Sequence, residues 1–477
     1  MYKDKSTTKA LESSSADALP KNAVTDHPAG LAFFFLVLYV AVVFIRPQEY
    51  IPAILDWPII PALLLITFLL WLGAGNIELK AAPFYLLSAL FLYAPLTVVL
   101  AGEGFSNALD AVSQLAPLYL TFLLIAATAL SRKRIRIMMW LMVGGAVLFS
   151  LHGIQQEFTG VGWTGEVPIA GRIRYIGIFN DPNDVGLSLV TALPMAMYLM
   201  HNSNSKIIKL LLLLGVGSIL WGISLTDSRG TTLALGAILG VYSWRRYGVF
   251  KTLIISMIAV PVLFALSSRL DTISPGEASA LGRVEAWYEG MLMLRENPVF
   301  GVGFGLFSDH HVRTAHNSYV LVLAEQGIPG YFLWFSYVGI CLMLMFRLQK
   351  QEKITKSPWE VVAENSLDSN ENHFFLVEKP RPRKETIVAK EDQAIARALF
   401  LSFVGFATAS FFLSRSYSMQ LFLLCGMAVA HYQGTRLRNP KLPEYRFTDH
   451  FWFWIIICGI SIITLYLVVT VLLSLSS

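Results

Sequence analysis

Apolar runs of membrane-spanning length recur along the whole chain, and short polar segments separate them. These runs predict helical spans at residues 30–46, 58–75, 82–101, 109–130, 136–155, 185–202, 207–226, 230–246, 251–268, 329–347, 394–413, 417–433 and 452–474. A spanning helix needs about 20 mostly apolar residues, and several runs are shorter, so the pattern predicts about 12–13 transmembrane helices. Helices are expected because a spanning segment must satisfy its own backbone polar groups.

Polar stretches divide the chain into four parts. Residues 1–28 are rich in Lys, Ser, Thr, Asp and Ala and predict a disordered cytoplasmic tail. Residues 29–347 form the transmembrane core, and residues 394–477 form the C-terminal transmembrane helices. Between them, residues 348–393 are polar, mixed in charge and interrupted by prolines. They predict a flexible cytoplasmic loop with one docked piece around residues 374–376.

The composition agrees with a membrane protein. Hydrophobic residues make up 55% of the chain and charged residues 14%, whereas about 25% of a soluble domain is charged. The cysteines all lie inside apolar runs, which excludes a disulfide framework and a CxxC metal site. No phosphate-binding loop and no GxGxxG after a strand is present, so we expect no nucleotide cofactor. We predict an all-α, polytopic integral membrane protein.

Lysine and arginine are distributed unequally between the two sides of the predicted spans. If the N-terminus is cytoplasmic and the spans alternate, every lysine falls on the cytoplasmic side and the other side carries only arginines. The positive-inside rule therefore places the N-terminus in the cytoplasm. Because the basic residues lie in short loops between spans, we expect no nucleic-acid partner. The outward arginines are Arg46, Arg172, Arg174, Arg229, Arg269, Arg283, Arg295, Arg313 and Arg415.

These outward arginines indicate an anionic substrate. A guanidinium group binds phosphate through two parallel hydrogen bonds, which a lysine cannot do. Anchoring to lipid headgroups or pairing with nearby carboxylates is the simpler explanation, and it suffices for Arg46, Arg269, Arg295 and Arg313. We favour phosphate recognition for the other arginines of the set.

Residues 269–330 are the longest segment between apolar runs that still carries signals of order. Apolar residues from Val284 to Leu294 fall on one face of a predicted amphipathic helix. Pro298 ends that helix, and the glycines of Gly301–Gly305 would let the backbone approach a ligand closely. A re-entrant or interfacial connector with incidental charges would show the same pattern.

His316 is the candidate general base, because an imidazole titrates close to neutral pH. The alternative is an interfacial histidine that caps the following helix. Asp309, His310 and His311 precede it, but their spacing matches no usual zinc site. No pair of carboxylates suits Mg²⁺ beside a phosphate either, so we predict no metal site.

Short outward turns place further arginines at helix ends. Arg229 and Arg415 each lie in a very tight turn, where each could pair with a carboxylate or bind a diphosphate. Asp181 and Asp184 are explained as the N-cap and a first-turn residue of a helix that begins at Pro182.

The ordered motifs resemble the O-antigen ligase and polymerase superfamily of bacterial inner-membrane proteins. The resemblance covers about residues 170–335, including a predicted periplasmic loop at residues 269–328. The motifs that carry it are Gly177–Asn183, Asp227–Gly230, Gly282-Arg283 with Trp287, Asn297–Gly303, His316–Tyr319 and Glu325–Gly327.

The resemblance implies a GT-C-like glycosyltransferase architecture and a function. A glycan would be transferred from undecaprenyl diphosphate to an acceptor hydroxyl at the periplasmic face, without a metal or other cofactor. Arg229 and Arg283 would hold the diphosphate, and His316 would orient or deprotonate the hydroxyl. Further candidates for substrate binding are Arg172, Arg174, Arg415, Asn317 and Glu325, of which Arg415 is added from topology and charge alone.

The acceptor stays open at this point. The large cytoplasmic loop and a thirteenth span depart from the ligase pattern, so we slightly prefer a polysaccharide polymerase over a ligase acting on lipid A–core. A protein O-oligosaccharyltransferase shares these motifs. The alternative from another class is a transporter or flippase for lipid-linked sugars, which would show inverted repeats and charges near the bilayer midplane. The distinctive charges here cluster on one side instead.

Overall fold

The computed structural model describes residues 29–75, 79–265, 278–349, 353–356, 383–386 and 388–476. The predicted tail at residues 1–28 and the docked piece around residues 374–376 lie outside this part of the chain. The helices are α1 (Gly30–Ile45), α2 (Pro47–Tyr50), α3 (Ile59–Gly73), α4 (Ala82–Leu100), α5 (Gly104–Thr128), α6 (Arg132–Thr159), α7 (Pro182–Asn202), α8 (Lys206–Thr226), α9 (Arg229–Tyr247), α10 (Val249–Ala265), α11 (Ala278–Glu296), α12 (Phe307–His310), α13 (Ser318–Leu348), α14 (Lys390–Ser410), α15 (Met419–Arg438) and α16 (Phe451–Ser476). Short 3-10 turns lie at Pro52–Ile54, Gly177–Phe179 and Thr448–His450.

In the part of the chain that the structure describes, each predicted span coincides with one of these helices over most of its length, which confirms an all-α, polytopic membrane fold. Within the described residues, seven helices are long and apolar enough to cross a membrane: α4, α5, α6, α8, α13, α14 and α16 with the turn before it. Helices α1, α3 and α10 are apolar but shorter. Short apolar helices can still span when neighbours or local thinning of the bilayer compensate for their length.

The centre of the bundle is formed by α7, α14 and α15. Every residue from Val185 to Ala196 in α7 and from Met419 to Tyr432 in α15 is buried. By contrast, only 22% of the apolar 18-residue segment of α8 is buried, and only 17% of that of α16 with the turn before it. The Gln420 side chain donates to Ser188 Oγ at 2.7 Å and joins α15 to α7. Polar residues are tolerated in these helices because other helices, rather than lipid, surround them.

The glycine-rich segment after α11 packs against a break in α13. Gly327 interrupts α13 with φ 64° and ψ −167°. Backbone hydrogen bonds of 2.9 Å run from the N–H of Val302 to the carbonyl of Ala324 and from Ile328 to Pro298. A Cβ on Gly301 would lie 2.4 Å from the Glu325 backbone. At Gly301 the close approach expected for a ligand is therefore made by the protein's own backbone, which corrects the interpretation of that glycine.

Long-range polar contacts connect segments that the sequence predicts on the same side. Asp392 accepts hydrogen bonds from Arg132 at 2.7 and 2.9 Å and from Arg438 at 2.8 Å, and all three residues are predicted to be cytoplasmic. At the other end of the bundle, Arg415 pairs with Asp184. The contacts agree with the predicted alternation of the helices, and their direction relative to the membrane stays a prediction.

Two short strands lie within the predicted cytoplasmic loop. β1 (Lys353–Lys356) and β2 (Arg383–Thr386) pair antiparallel. The sequence interpretation of residues 348–393 as a flexible loop did not include this pairing, because strands this short and charged carry no clear alternation of apolar and polar positions.

Candidate active site

Three helix N-termini meet at the end of the bundle that is predicted to be periplasmic. Helices α7, α9 and α13 begin directly after Asp181, Ser228 and Asn317, and each of these residues caps its helix with a side-chain oxygen. The prediction of Asp181 as N-cap and Pro182 as the first helical residue is confirmed. Helix N-termini carry a partial positive charge, so this end of the bundle favours anions.

Arg415 binds the carboxylate of Asp184 through two hydrogen bonds. Its Nη2 donates to Asp184 Oδ2 at 2.6 Å, and its Nε donates to Oδ1. The Asp184 side chain is 5% exposed and that of Arg415 is 38% exposed. A buried carboxylate needs a paired charge. The explanation of Asp184 as a first-turn residue of α7 is therefore incomplete, because its main partner is an arginine from a distant turn.

The turn that carries Arg415 is fixed to the start of α13. The backbone N–H of Arg415 donates to Ser318 Oγ at 2.9 Å, and Ser318 Oγ donates to the carbonyl of Leu413 at 2.6 Å. Ser416 Oγ donates to the Ser318 carbonyl at 2.9 Å. These contacts hold the guanidinium of Arg415 in the neighbourhood of His316, two residues before Ser318.

Arg172 connects the loop before α7 with the turn between α8 and α9. Its Nε donates to the carbonyl of Thr226 at 2.8 Å, and its Nη2 donates to Asn183 Oδ1 at 2.7 Å. Asn183 Oδ1 also accepts from Ser228 Oγ at 2.9 Å. Arg172 is therefore bound to the residues that immediately precede Arg229.

Arg229 is the first residue of α9 and is half-buried. The start of α9 lies against the end of the segment that follows α14, because a Cβ on Gly230 would be 3.1 Å from the Cβ of Phe412. The turn that carries Arg229 thus adjoins the turn that carries Arg415.

Arg174 bonds to a different part of the loop. Its Nε donates to the carbonyl of Val167 at 2.8 Å, and its backbone N–H donates to Gln156 Oε1 at 2.9 Å. Arg172 and Arg174 flank the buried Ile173, but their hydrogen-bond partners belong to separate elements. The geometry favours Arg172 over Arg174 as a residue of the site.

His316 has a left-handed backbone conformation, with φ 47°. Such conformations cost roughly 1–3 kcal/mol for a residue other than glycine and cluster at functional sites. Its charged neighbours are Arg283, Asp181, Arg415 and Arg313. Partial burial, and then the positive charge of Arg283, lower the pKa of His316 below its ordinary value. The ring is neutral at neutral pH and is able to accept a proton.

Arg283 lies on α11 and is half-buried. One turn further along α11, Trp287 is buried and packs against Phe411 with 5.4 Å between the ring centroids. This packing attaches α11 to the segment between α14 and α15, and it confirms the predicted apolar face. Arg283 is thereby held close enough to His316 to affect its charge.

Two residues predicted to contact the acceptor are buried. Glu325 is 4% exposed and accepts from the Phe307 backbone N–H at 3.3 Å, so its placement favours a structural role over an acceptor contact. Asn317 Oδ1 accepts from the Tyr319 N–H at 2.9 Å. The Asn317 Nδ2, however, has no hydrogen-bond partner among the described residues. Leaving such a donor unpaired costs about 1–3 kcal/mol, which a ligand or water would recover.

Sequence reasoning missed three residues that organise this site. Asn183 joins Arg172 to Ser228, Ser318 fixes the turn of Arg415, and Asp184 pairs with Arg415. Asn183 and Ser318 do lie inside the motifs that carried the family resemblance, which was the available signal. No feature of the sequence around Asp184 indicated that its partner would be Arg415.

Residues 189–335 match the family model described as O-antigen ligase. No curated protein sequence matches the chain. The matched region contains Arg229, Arg283 and His316, whereas Arg172 and Arg415 lie outside it. The match confirms the resemblance to the O-antigen ligase superfamily, and it supports a membrane enzyme of ligase or polymerase type that transfers glycans.

Proposed function

We propose that this chain, with its O-antigen ligase region, transfers a glycan from undecaprenyl diphosphate to an acceptor hydroxyl at the periplasmic face of the bacterial inner membrane. The observation that carries the proposal is the position of His316 beside Arg283, where α7, α9 and α13 begin. Guanidinium groups and helix N-termini suit a diphosphate, and a neutral imidazole suits the proton of a hydroxyl.

In the proposed reaction, His316 accepts the proton of the acceptor hydroxyl while the hydroxyl oxygen attacks the anomeric carbon of the donor glycan. A new glycosidic C–O bond forms, and the C–O bond to the diphosphate breaks. The bonding electron pair leaves with the lipid diphosphate. Direct attack opposite the leaving group inverts the configuration at the anomeric carbon.

Arg229 and Arg283 stabilise the negative charge that grows on the leaving diphosphate. Fixed positive groups aimed at developing charge are among the largest contributors to enzymatic rate. Because the proposal assigns this role to arginines rather than to a metal ion, transfer is expected to continue in excess chelator.

Three other residues support these groups in the proposal. Arg172 holds the start of α9 through Asn183, and Arg415 adds positive charge near His316 while it stays paired with Asp184. Asn317, which is fully buried, holds the start of α13 directly after His316 by accepting from the Tyr319 N–H.

The test uses the purified full-length chain with a labelled glycan on undecaprenyl diphosphate. Three acceptors are supplied separately: lipid A–core, a second lipid-linked glycan, and a peptide with hydroxyl side chains. Arg283→Ala and His316→Ala are compared with matched controls, Arg295→Ala on the same helix and His310→Ala in the same loop, both exposed.

Transfer by the wild type and the controls, with loss in Arg283→Ala and His316→Ala, is the expected result. The acceptor that reacts distinguishes a ligase, a polymerase and a protein glycosylation enzyme. The proposal fails if no acceptor reacts while the wild type and both variants carry the intact donor across liposomes equally well. That outcome would identify a transporter.

A further inference from the structure

A second cluster of arginines lies at the opposite end of the bundle from His316. Helix α9 begins at Arg229 and runs about 24 Å to Arg245 and Arg246 in its last turn. Arg397 of α14 lies beside them, and these three arginines are exposed. Together they line a cavity of about 240 Å³, whose other walls are Tyr242, Gln349, Phe400 and Leu401.

Arg245 is held in a fixed orientation. Its Nη1 donates to Gln349 Oε1 at 2.7 Å. The guanidinium carbon lies 4.7 Å from the ring centroid of Phe346 and 5.3 Å from that of Phe400. Stacking on aromatic rings fixes the plane of a guanidinium group. The N–H groups that are not bound to Gln349 are thereby oriented in advance for a ligand.

The positive charge of the cavity lacks a carboxylate partner within the described residues. Arg245, Arg246 and Arg397 form no ion pair with any Asp or Glu in that part of the chain, and the charges of Arg245 and Arg397 repel each other. Other arginines at the same end do have carboxylate partners, namely Arg132, Arg136, Arg436 and Arg438. The uncompensated positive charge of these three side chains makes the cavity a candidate site for an anion.

Aromatic residues place the cavity at the level of lipid headgroups. Tyr242, Trp244 and Tyr247 are 41%, 56% and 48% exposed and surround the arginines on the last turns of α9. Exposed Trp and Tyr residues at helix ends mark the membrane–water interface. A phosphate group matches the arginine geometry, and phospholipid is the phosphate source at this depth. We propose that the cavity binds the phosphate of an anionic phospholipid headgroup.

The test measures lipid binding to the full-length chain in mild detergent. Short-chain phosphatidylglycerol, phosphatidylcholine and inorganic phosphate are titrated separately, and binding is followed by native mass spectrometry and by the rise in Tm. Arg245→Gln and Arg397→Gln are compared with Arg446→Gln, which removes an exposed arginine outside the cavity. The Tm of each variant without added ligand, compared with that of the wild type, reports on folding.

Phosphatidylglycerol is expected to bind the wild type and Arg446→Gln and to raise their Tm. Binding by Arg245→Gln and Arg397→Gln should be weaker by about tenfold, the loss of one charge-assisted contact. Equal binding by all four proteins would overturn the proposal. Protection by inorganic phosphate alone, with no further gain from phosphatidylglycerol, would overturn the assignment to a lipid.

Discussion

Asp184 and Arg415 form a two-point ion pair, although 231 positions separate them in the chain. The pair joins the first turn of α7 to the turn between α14 and α15. The turn that carries Arg415 also forms hydrogen bonds with Ser318 at the start of α13. One buried carboxylate therefore links two of the three helix N-termini that form the candidate active site.

Removal of Arg415 alone is expected to destabilise the folded protein. Arg415→Ala leaves the buried Asp184 carboxylate without its partner, at a cost of roughly 1–3 kcal/mol once the partial exposure of Arg415 is allowed for. Asp184→Asn in the same background removes that charge and should restore part of the stability. Thermal unfolding in detergent compares the stability of the wild type, of each single variant and of the double variant. Strictly additive effects of the two substitutions would show that the pair does not act as a unit.

The acid limb of the pH–rate profile is expected to report His316. Because burial, and then the charge of Arg283, lower the pKa of His316, the acid limb of kcat/KM should lie at a lower pH than an ordinary histidine would give. Arg283→Gln removes a positive charge, so protonation becomes easier, the pKa rises and the acid limb moves to higher pH. Arg313→Gln should give a smaller shift in the same direction. An acid limb that does not move in Arg283→Gln would contradict the assignment of His316 as the base.

Replacement of Arg229 or Arg283 by alanine is expected to lower kcat/KM by about 10²-fold or more, the usual effect of removing one group that stabilises transition-state charge. Lysine keeps the charge but loses the paired hydrogen bonds, so each lysine variant should recover only part of the rate. Steady-state kinetics with a lipid-diphosphate donor compare the alanine and lysine variants with the control variant Arg295→Ala. Alanine variants as active as the control would remove both arginines from the mechanism.

Gly301→Ala and Gly327→Ala are expected to destabilise the protein strongly. Both glycines have positive φ, and a Cβ at either position would lie 2.4 Å from backbone atoms of the facing segment. In each variant, the unfavourable backbone conformation and the clash together should lower the free energy of unfolding by roughly 2–4 kcal/mol. Gly305→Ala is the control, since its φ is +79° but nothing lies within 4 Å of the added Cβ. A Tm for Gly301→Ala equal to that of Gly305→Ala would rule out the clash as the cause.

Most of the membrane-spanning helices could be predicted from the sequence to within a few residues, whereas α13 begins at Ser318, well before the predicted span at residues 329–347. Membrane insertion demands long apolar runs with internal backbone hydrogen bonding, and both properties are local. The break at Gly327 was also predictable, because glycine and the following Pro329 end a helical pattern. The pairing of β1 with β2 was not, because each strand is short and its partner lies far along the chain.

Within the site, the sequence suggested residue types more readily than geometry. His316, Arg229 and Arg283 were proposed from residue type, predicted side and the family resemblance, and their roles stay predictions. The separation of Arg172 from Arg174 depends on which carbonyl each guanidinium reaches, and the burial of Glu325 depends on how residues 301–307 fold over α13. Neither property is encoded in local spacing.

The sequence by itself determined the membrane class, the helices, the predicted side of each loop and the residue types capable of the chemistry. These follow from hydropathy, helix geometry and charge distribution over short stretches of chain. The tertiary structure decided which charges meet. Whether Arg415 faces Asp184, or Arg245 faces Arg397, depends on the packing of helices distant in sequence, and burial between them sets the energy of each charge.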